Sequence, residues 1–115
     1  MTYKYDLEER TAKFGEDIID LLRTIKSNDL SRNIIGQLVR SATSIGANYM
    51  EANGASSRKD FKNKIHICKK EAMETKYWLR MLAISQQESR EKCRKLWQEA
   101  QELTLIFSKI AGSSK

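Results

Sequence analysis

The chain has 115 residues, of which 40% are apolar and 31% are charged, and it contains five glycines, two cysteines and no proline. This length suits one domain, and the absence of proline favours long helices over a loop-rich or all-β fold. The net charge of +6 mildly favours a polyanionic partner, although many soluble proteins are equally basic.

The composition also bears on where the protein works. The polar start, "MTYKYDLEER", lacks the apolar run of a secretory signal, and the longest clearly apolar run, "MLAI", is too short to cross a membrane. Two cysteines do not make a disulfide framework. We therefore expect a cytoplasmic protein without membrane contact.

Four helices are predicted in a single domain of residues 1–115, over about residues 6–26, 31–53, 57–84 and 88–111. Apolar residues recur at alternating spacings of three and four, which is typical of helices packed at shallow angles. With connections this short, the sequence predicts an all-α, antiparallel up-down-up-down four-helix bundle. The predicted helix caps are Asp6 with Glu9, Ser31, Ser57 with Asp60, and Ser85 with Glu88.

Helix two stands apart because small, uncharged residues fill most of its surface. Between residues 31 and 54, only Arg32, Arg40 and Glu51 carry charge. Two interpretations stay open: close packing inside a monomer, or an oligomer in which helix two also contacts a neighbouring subunit. The candidates for oligomer contact or helix packing are Arg40, Ala42, Ser44, Gly46, Ala47, Asn48, Tyr49, Met50, Glu51, Glu71, Glu74 and Trp78, with Tyr49, Met50 and Trp78 favoured for subunit contact.

Two segments, "QLVRSATSIGANYMEANGASSRKDF" and "KKEAMETKYWLRML", carry a family resemblance. The chain resembles the small bacterial four-helix bundle proteins encoded in intervening sequences of 23S ribosomal RNA genes, a family that includes accessory proteins of diversity-generating retroelement reverse transcriptases. The resemblance runs from about Asp6 to Leu82. It implies a homopentamer of four-helix bundles around a central channel, with a basic, nucleic-acid-binding character and a biological role unknown for most members.

Helix three holds most of the positive charge. Residues 58–80 contain eight Lys or Arg and three acidic residues, a net charge of +5, whereas helix one is acidic. At about 100° per residue the cations fall on one side of the helix, opposite its apolar seam. Such a ridge can contact phosphates, although a solvated lysine face is a common alternative. The candidate nucleic-acid-binding residues are Arg58, Lys59, Lys62, His66, Lys69, Lys70, Lys76, Tyr77 and Arg80.

Other chemistry has less support. His66 and Cys68 point in different directions on a helix, and Cys68 and Cys93 lie too far apart along the bundle for a disulfide. Clustered carboxylates could hold Mg²⁺ in a nuclease, but an ion pair with Arg40 suits Glu71 and Glu74 better. We therefore expect no enzyme, no metal and no cofactor.

Three hypotheses of function follow. The first is an oligomeric bundle that binds RNA or DNA nonspecifically through helix three, since no helix-turn-helix pattern, zinc-finger spacing or RNP motif is present. The second is an adaptor or scaffold ring that docks another protein, such as a reverse transcriptase. The third and weakest is a metal-dependent nuclease.

Overall fold

The computed structural model describes residues 3–113, with side chains described for residues 7–112. It contains four α-helices: α1 (Tyr3–Arg23), α2 (Arg32–Asn53), α3 (Arg58–Ser85) and α4 (Arg90–Ser113). A single 3₁₀ turn, Gln87–Ser89, joins α3 to α4, and no strand occurs between residues 3 and 113. The predicted all-α, up-down-up-down four-helix bundle is confirmed.

Consecutive helices pack against each other, and α1 also contacts α4 to close the bundle. The predicted seams form its core: Phe14, Ile18, Ile65, Leu79 and Phe107 are at most 1% exposed. The fold is an elongated rod of 44 × 26 × 20 Å, as expected when α3 has 28 residues that each rise about 1.5 Å. Among the described residues, no helix combines the length and apolar character that a membrane crossing requires.

The start of α3 follows its predicted cap. Ser57 has an extended backbone, and its side-chain oxygen accepts a hydrogen bond from the Asp60 backbone N–H at 3.0 Å. This bond satisfies one of the free N–H groups at the helix start. The cap therefore fixes where the cationic helix begins.

The other predicted caps need correction. Ser31 lies at the start of α2 but has helical backbone angles, and its hydroxyl accepts from the Asn28 N–H instead of capping α2. Ser85 closes α3, where its hydroxyl donates to the Leu82 carbonyl, so it does not open α4. Asp6 lies inside α1, which already begins at Tyr3, and its side chain falls outside the described residues.

Polar contacts also join neighbouring helices. Between α2 and α3, the fully buried Thr75 hydroxyl lies 2.9 Å from the buried Ser41 hydroxyl. Between α1 and α4, the Arg10 guanidinium donates two hydrogen bonds to Glu99, at 2.7 and 2.9 Å, and a third to Glu102. These carboxylates raise the pKa of Arg10 above its ordinary value, so the arginine stays charged.

Candidate nucleic-acid interface

The outer side of α3 carries the cationic face, defined here as the nine predicted residues of that helix. Its inner side is buried through Ile65, Cys68, Ala72, Thr75, Leu79 and Leu82, so the opposite side must face solvent. Most of the face is exposed, and the remainder is half-buried. The exposed members are Arg58, Lys59, His66, Lys70, Tyr77 and Arg80, and the half-buried ones are Lys62, Lys69 and Lys76.

Several of these cations are unneutralised. Within residues 7–112, Lys62, Lys69, Lys70 and Arg80 form no ion pair. Lys64, which lies beside the face, differs: its ammonium donates to Glu51 on α2 at 2.7 Å, and this contact raises the pKa of Lys64. The unpaired members therefore remain available to an anionic partner.

Lys76 departs from the predicted outward orientation. Its ammonium donates to Gln101 on α4 at 2.6 Å and lies 5.4 Å from the centre of the Trp97 ring. A cation at this distance from an indole is attracted by the ring's electrons. Lys76 thus links α3 to α4 as well as contributing positive charge.

The aromatic member of the face is well placed for stacking. Tyr77 is 53% exposed and packs edge-on against Trp78, with ring centres 5.0 Å apart. Trp78 is in turn fixed by its indole N–H, which donates to Glu74 at 3.0 Å. Tyr77 therefore presents a supported ring to solvent, among cations that can contact phosphates.

The small residues of α2 divide into two groups. Ala42 is buried in the core, and so is the larger Tyr49, whose ring lies 6.0 Å from that of Phe107; both therefore serve helix packing within the monomer, and subunit contact by Tyr49 stays a prediction. Gly46 lies close to α1, since a Cβ atom there would sit 3.4 Å from the Thr11 hydroxyl. Close packing inside the monomer therefore explains these three residues.

The outward-facing small residues line a groove between α1 and α2, which we call the α1–α2 groove. Its volume is about 450 Å³. Met50 is 64% exposed there, and Ala47 is exposed beside it. Acidic side chains border the groove. Its lining comprises Glu8, Glu9, Thr11, Ala12, Gly15, Glu16, Ile19, Thr43, Gly46, Ala47 and Met50.

Polar side chains outside the core of α2, of which Thr43 lines the groove, bond to the helix itself. The Thr43 hydroxyl donates to the Val39 carbonyl at 2.8 Å, and the Ser44 hydroxyl donates to the Arg40 carbonyl at 2.7 Å. The Asn48 amide likewise donates to Ser44. Because these donors already have partners, the surface can be covered without leaving them unsatisfied.

Of the three candidate carboxylates, Glu74 and Glu51 form ion pairs, whereas Glu71 does not pair with Arg40 as the sequence suggested. Glu74 accepts from Arg40 at 2.8 Å, as predicted, although Arg40 is 53% exposed and the pair is not buried. Glu51 accepts from Lys64, and one Glu71 oxygen is buried without a partner among the described residues. No group of three or more His, Cys, Asp or Glu converges within that part of the chain.

The cysteines are free and buried on α3 and α4. Burial raises the pKa of Cys68 to about 12, and burial also raises the pKa of Cys93. Both thiols therefore stay protonated at neutral pH and fill space in the core.

Positive charge on α4 was missed by sequence reasoning. Residues 90–95 contain four bases and one acidic residue, a signal that was present in the sequence. Arg90 and Arg94 lie beside Arg80 of α3, around a cleft that also contains Trp97. The cationic region thus extends past the end of α3 onto the start of α4.

The geometry defines a class: a basic all-α four-helix bundle with one cationic side and one groove of small residues. The chain belongs to the 23S rRNA-intervening sequence protein family, whose model matches residues 4–109. It is also similar to the crystal structure of a protein with unknown function from the S23 ribosomal protein family of Bacteroides thetaiotaomicron VPI-5482. The two are 31% identical with a TM-score of 0.83, over 96% of this chain and 99% of that chain. No curated protein matches the sequence.

Proposed function

We propose that the protein is a non-enzymatic homo-oligomer that binds RNA or DNA, without sequence preference, through the cationic face of α3. The observation that carries this proposal is the set of cations on α3 that form no ion pair within residues 7–112: Lys70 and Arg80 are exposed, and Lys62 and Lys69 are half-buried beside the apolar seam. The phosphates of RNA or DNA would neutralise these cations, which form no ion pair with a carboxylate within residues 7–112. Contacts of this kind position a polynucleotide but do not read its bases.

Binding to RNA and DNA at low salt, followed by fluorescence anisotropy, tests the proposal. Affinity should fall as salt rises, with a log–log slope of roughly 0.7–0.9 for each phosphate neutralised. A four-fold charge reversal, Lys62→Glu, Lys69→Glu, Lys70→Glu and Arg80→Glu, should abolish binding. Lys76 is left unchanged because it also supports α4.

A matched variant separates local contacts from net charge. Lys13→Glu, Arg23→Glu, Lys26→Glu and Arg32→Glu reverse the same number of charges away from the cationic face. This variant should keep most of its affinity, and circular dichroism should show both variants helical. Equal loss of binding in the two variants would mean that net charge, and not the face of α3, governs affinity.

Self-association through the α1–α2 groove is the second part of the proposal, with the pentamer that the family resemblance implies. It is supported by the exposed Met50 and by the Thr43 hydroxyl, which already bonds to its own helix. A second copy of the chain could therefore cover the apolar part of this groove without leaving this donor unsatisfied.

Light scattering of the purified protein tests the assembly. A pentamer of the 13.3 kDa chain has a mass of about 67 kDa. Met50→Glu should shift the mass toward that of the monomer, whereas Leu105→Glu, a similarly exposed apolar position on α4, should not. A wild-type protein that stays monomeric at micromolar concentration would contradict the proposed assembly.

A protein-docking adaptor is the second candidate function. Leu30 and Ile84 favour it, because they are 70% and 65% exposed and lie at the same end of the bundle. Exposed apolar side chains are typical of protein contacts. An intact oligomer that binds no nucleic acid at low salt would favour this candidate.

A further inference from the structure

A cleft lies between the end of α3 and the start of α4, and Arg80 is the one nucleic-acid-binding candidate from the sequence that borders it. Leu79 and Ala83 of α3 and Cys93 and Trp97 of α4 form its apolar floor. Its border is made by Arg80, Arg90 and Arg94. The apolar floor can contact an apolar or aromatic group, and the three guanidinium groups around it can bind an anion.

The size of the cleft restricts what can enter it. Its volume is about 150 Å³, whereas pockets for cofactors and drug-sized ligands usually have about 300–1,000 Å³. One flat aromatic ring system suits this space better than a whole cofactor. The remainder of such a ligand would lie outside, where the arginines are.

The arginines point to an anionic ligand. Within residues 7–112, Arg80 and Arg90 form no ion pair, and Arg94 has only an exposed contact of 3.4 Å with Glu91. Three positive charges around one cleft repel each other unless an anion neutralises them. The planar guanidinium group can donate two parallel hydrogen bonds to a phosphate, which makes arginine well suited to that role.

Trp97 offers a stacking surface whose position is already fixed. It is half-buried between α3 and α4, and the Lys76 ammonium lies over its ring. Gln101 in turn holds Lys76 through a hydrogen bond of 2.6 Å. An indole held in this way loses little freedom when a ring stacks on it, so more of the stacking energy contributes to binding.

We propose that this cleft accepts one unpaired base of a single-stranded polynucleotide, while Arg80, Arg90 and Arg94 bind the adjoining phosphates. The inference rests on the proposed nucleic-acid binding and adds its substrate class. A base in a duplex is stacked and paired, so it cannot enter the cleft without unpairing. The protein should therefore prefer single strands, or unpaired ends and bulges, over continuous duplex.

The test uses Trp97 as its own reporter. Trp78→Phe leaves Trp97 as the single tryptophan, and the probes are a twelve-nucleotide oligo-A RNA, the same sequence as DNA, and a blunt duplex of equal length. Single strands should quench Trp97 fluorescence at low salt and bind at least about fivefold more tightly than the duplex. Quenching by either strand supports the proposal, and the stronger response identifies the preferred sugar.

Two variants separate stacking from charge. Trp97→Ala should weaken single-strand binding by about 5- to 100-fold, in line with the loss of one stacked base, and leave duplex binding within about twofold. Ala83→Leu keeps every charge and both tryptophans but fills the cleft, so it should produce the same selective loss. Circular dichroism melting establishes that each variant is folded before it is compared.

The outcomes distinguish this inference from the function on which it rests. If wild-type protein binds single strands and duplex equally, and neither cleft variant alters that equality, the cleft is not a base site although the cationic face still binds. If the wild-type protein binds none of the probes at low salt, both proposals fail. If Trp97 is quenched but Ala83→Leu has no effect, the strand stacks elsewhere and the cleft assignment is overturned.

Discussion

On the α1–α2 side of the bundle, acidic side chains border a groove of small residues, whereas on the α3–α4 side lysines and arginines surround half-buried aromatic rings. Both sides are built on the same kind of apolar seam. The two sides can differ because the apolar spacing constrains only the inward positions of each helix, so the residues at the outward positions can vary. Those outer positions give the bundle two chemically different surfaces.

Packing also differs between the two sides. Gly46 and Thr11 bring α1 and α2 close together with little side-chain volume between them. On the other side, long side chains such as Lys76 and Trp97 fill the boundary between α3 and α4. Substitutions that enlarge a residue should therefore lower stability mainly on the α1–α2 side. Substitutions that remove a long polar or aromatic side chain should lower it mainly on the α3–α4 side.

The largest effect is expected at Gly46. Gly46→Leu forces a large side chain against Thr11 and should lower the free energy of unfolding by about 1–3 kcal/mol. Gly46→Ala adds only a methyl group at ordinary contact distance and should be neutral or slightly stabilising, because glycine is a poor helix former. Urea unfolding measures both changes.

Ala47 provides the control for the Gly46 substitutions, because it is exposed at the next position of α2. Ala47→Leu should leave the stability of the monomer almost unchanged and should instead alter the oligomeric mass. If Gly46→Leu and Ala47→Leu lower the free energy of unfolding equally, then Gly46 is not packed inside the monomer more closely than Ala47.

The next effect is expected at the hydroxyl pair between α2 and α3. Thr75→Val removes a buried hydroxyl that contacts both Ser41 and the Glu71 carbonyl, so it should cost about 1–1.5 kcal/mol. Thr104→Val is the matched change on α4, where the hydroxyl donates to the Ala100 carbonyl of its own helix and, among the described residues, to no other helix. The thermal unfolding midpoint should fall more for Thr75→Val, and the reverse order would contradict an interhelical role for this pair.

Cys68 should make stability depend on pH in the alkaline range. Its pKa is about 12 in the fold, because of burial, and near 8.5 in an unfolded chain. The stabilising contribution is therefore complete below about pH 8.5 and is lost as pH rises toward 12, by up to about 1.4 kcal/mol for each pH unit. Urea unfolding at pH 7, 9 and 10 measures this loss. Cys68→Ala should flatten the decline, and an equally steep decline in that variant would assign it to other groups.

The sequence predicted the bundle and most of its core because burial follows local helical spacing. On α1, Leu7, Phe14 and Ile18 follow the predicted spacing and are buried, whereas Ile25, inside the predicted range of the first helix, lies beyond the end of α1 and is half-buried. Caps were harder to predict, because Ser31 and Ser57 look alike in sequence. Only the extended backbone of Ser57 lets its hydroxyl reach the helix N–H groups.

The candidate site was predictable along one helix but not between helices. The angular position of Lys69 or Arg80 follows from the spacing within α3 alone. The inward turn of Lys76 depends on Gln101 and Trp97, which lie on α4. Their relative register is set by the packing of the two helices, so the cleft could not be inferred from the local pattern.

The smallest effects are expected at the ion pairs that link helices on each side. Arg10 and Glu99 share two short hydrogen bonds and are about one-third exposed, whereas Arg40 makes a single bond to Glu74 and is 53% exposed. A double-mutant cycle of alanine substitutions should give a coupling energy of about 1 kcal/mol for Arg10 with Glu99 and about 0.5 kcal/mol or less for Arg40 with Glu74. Both couplings should shrink in 1 M salt, because ions screen exposed charges. A larger coupling energy for Arg40 with Glu74 would show that the contact between α2 and α3 depends on this ion pair, and not mainly on the buried hydroxyls of Ser41 and Thr75.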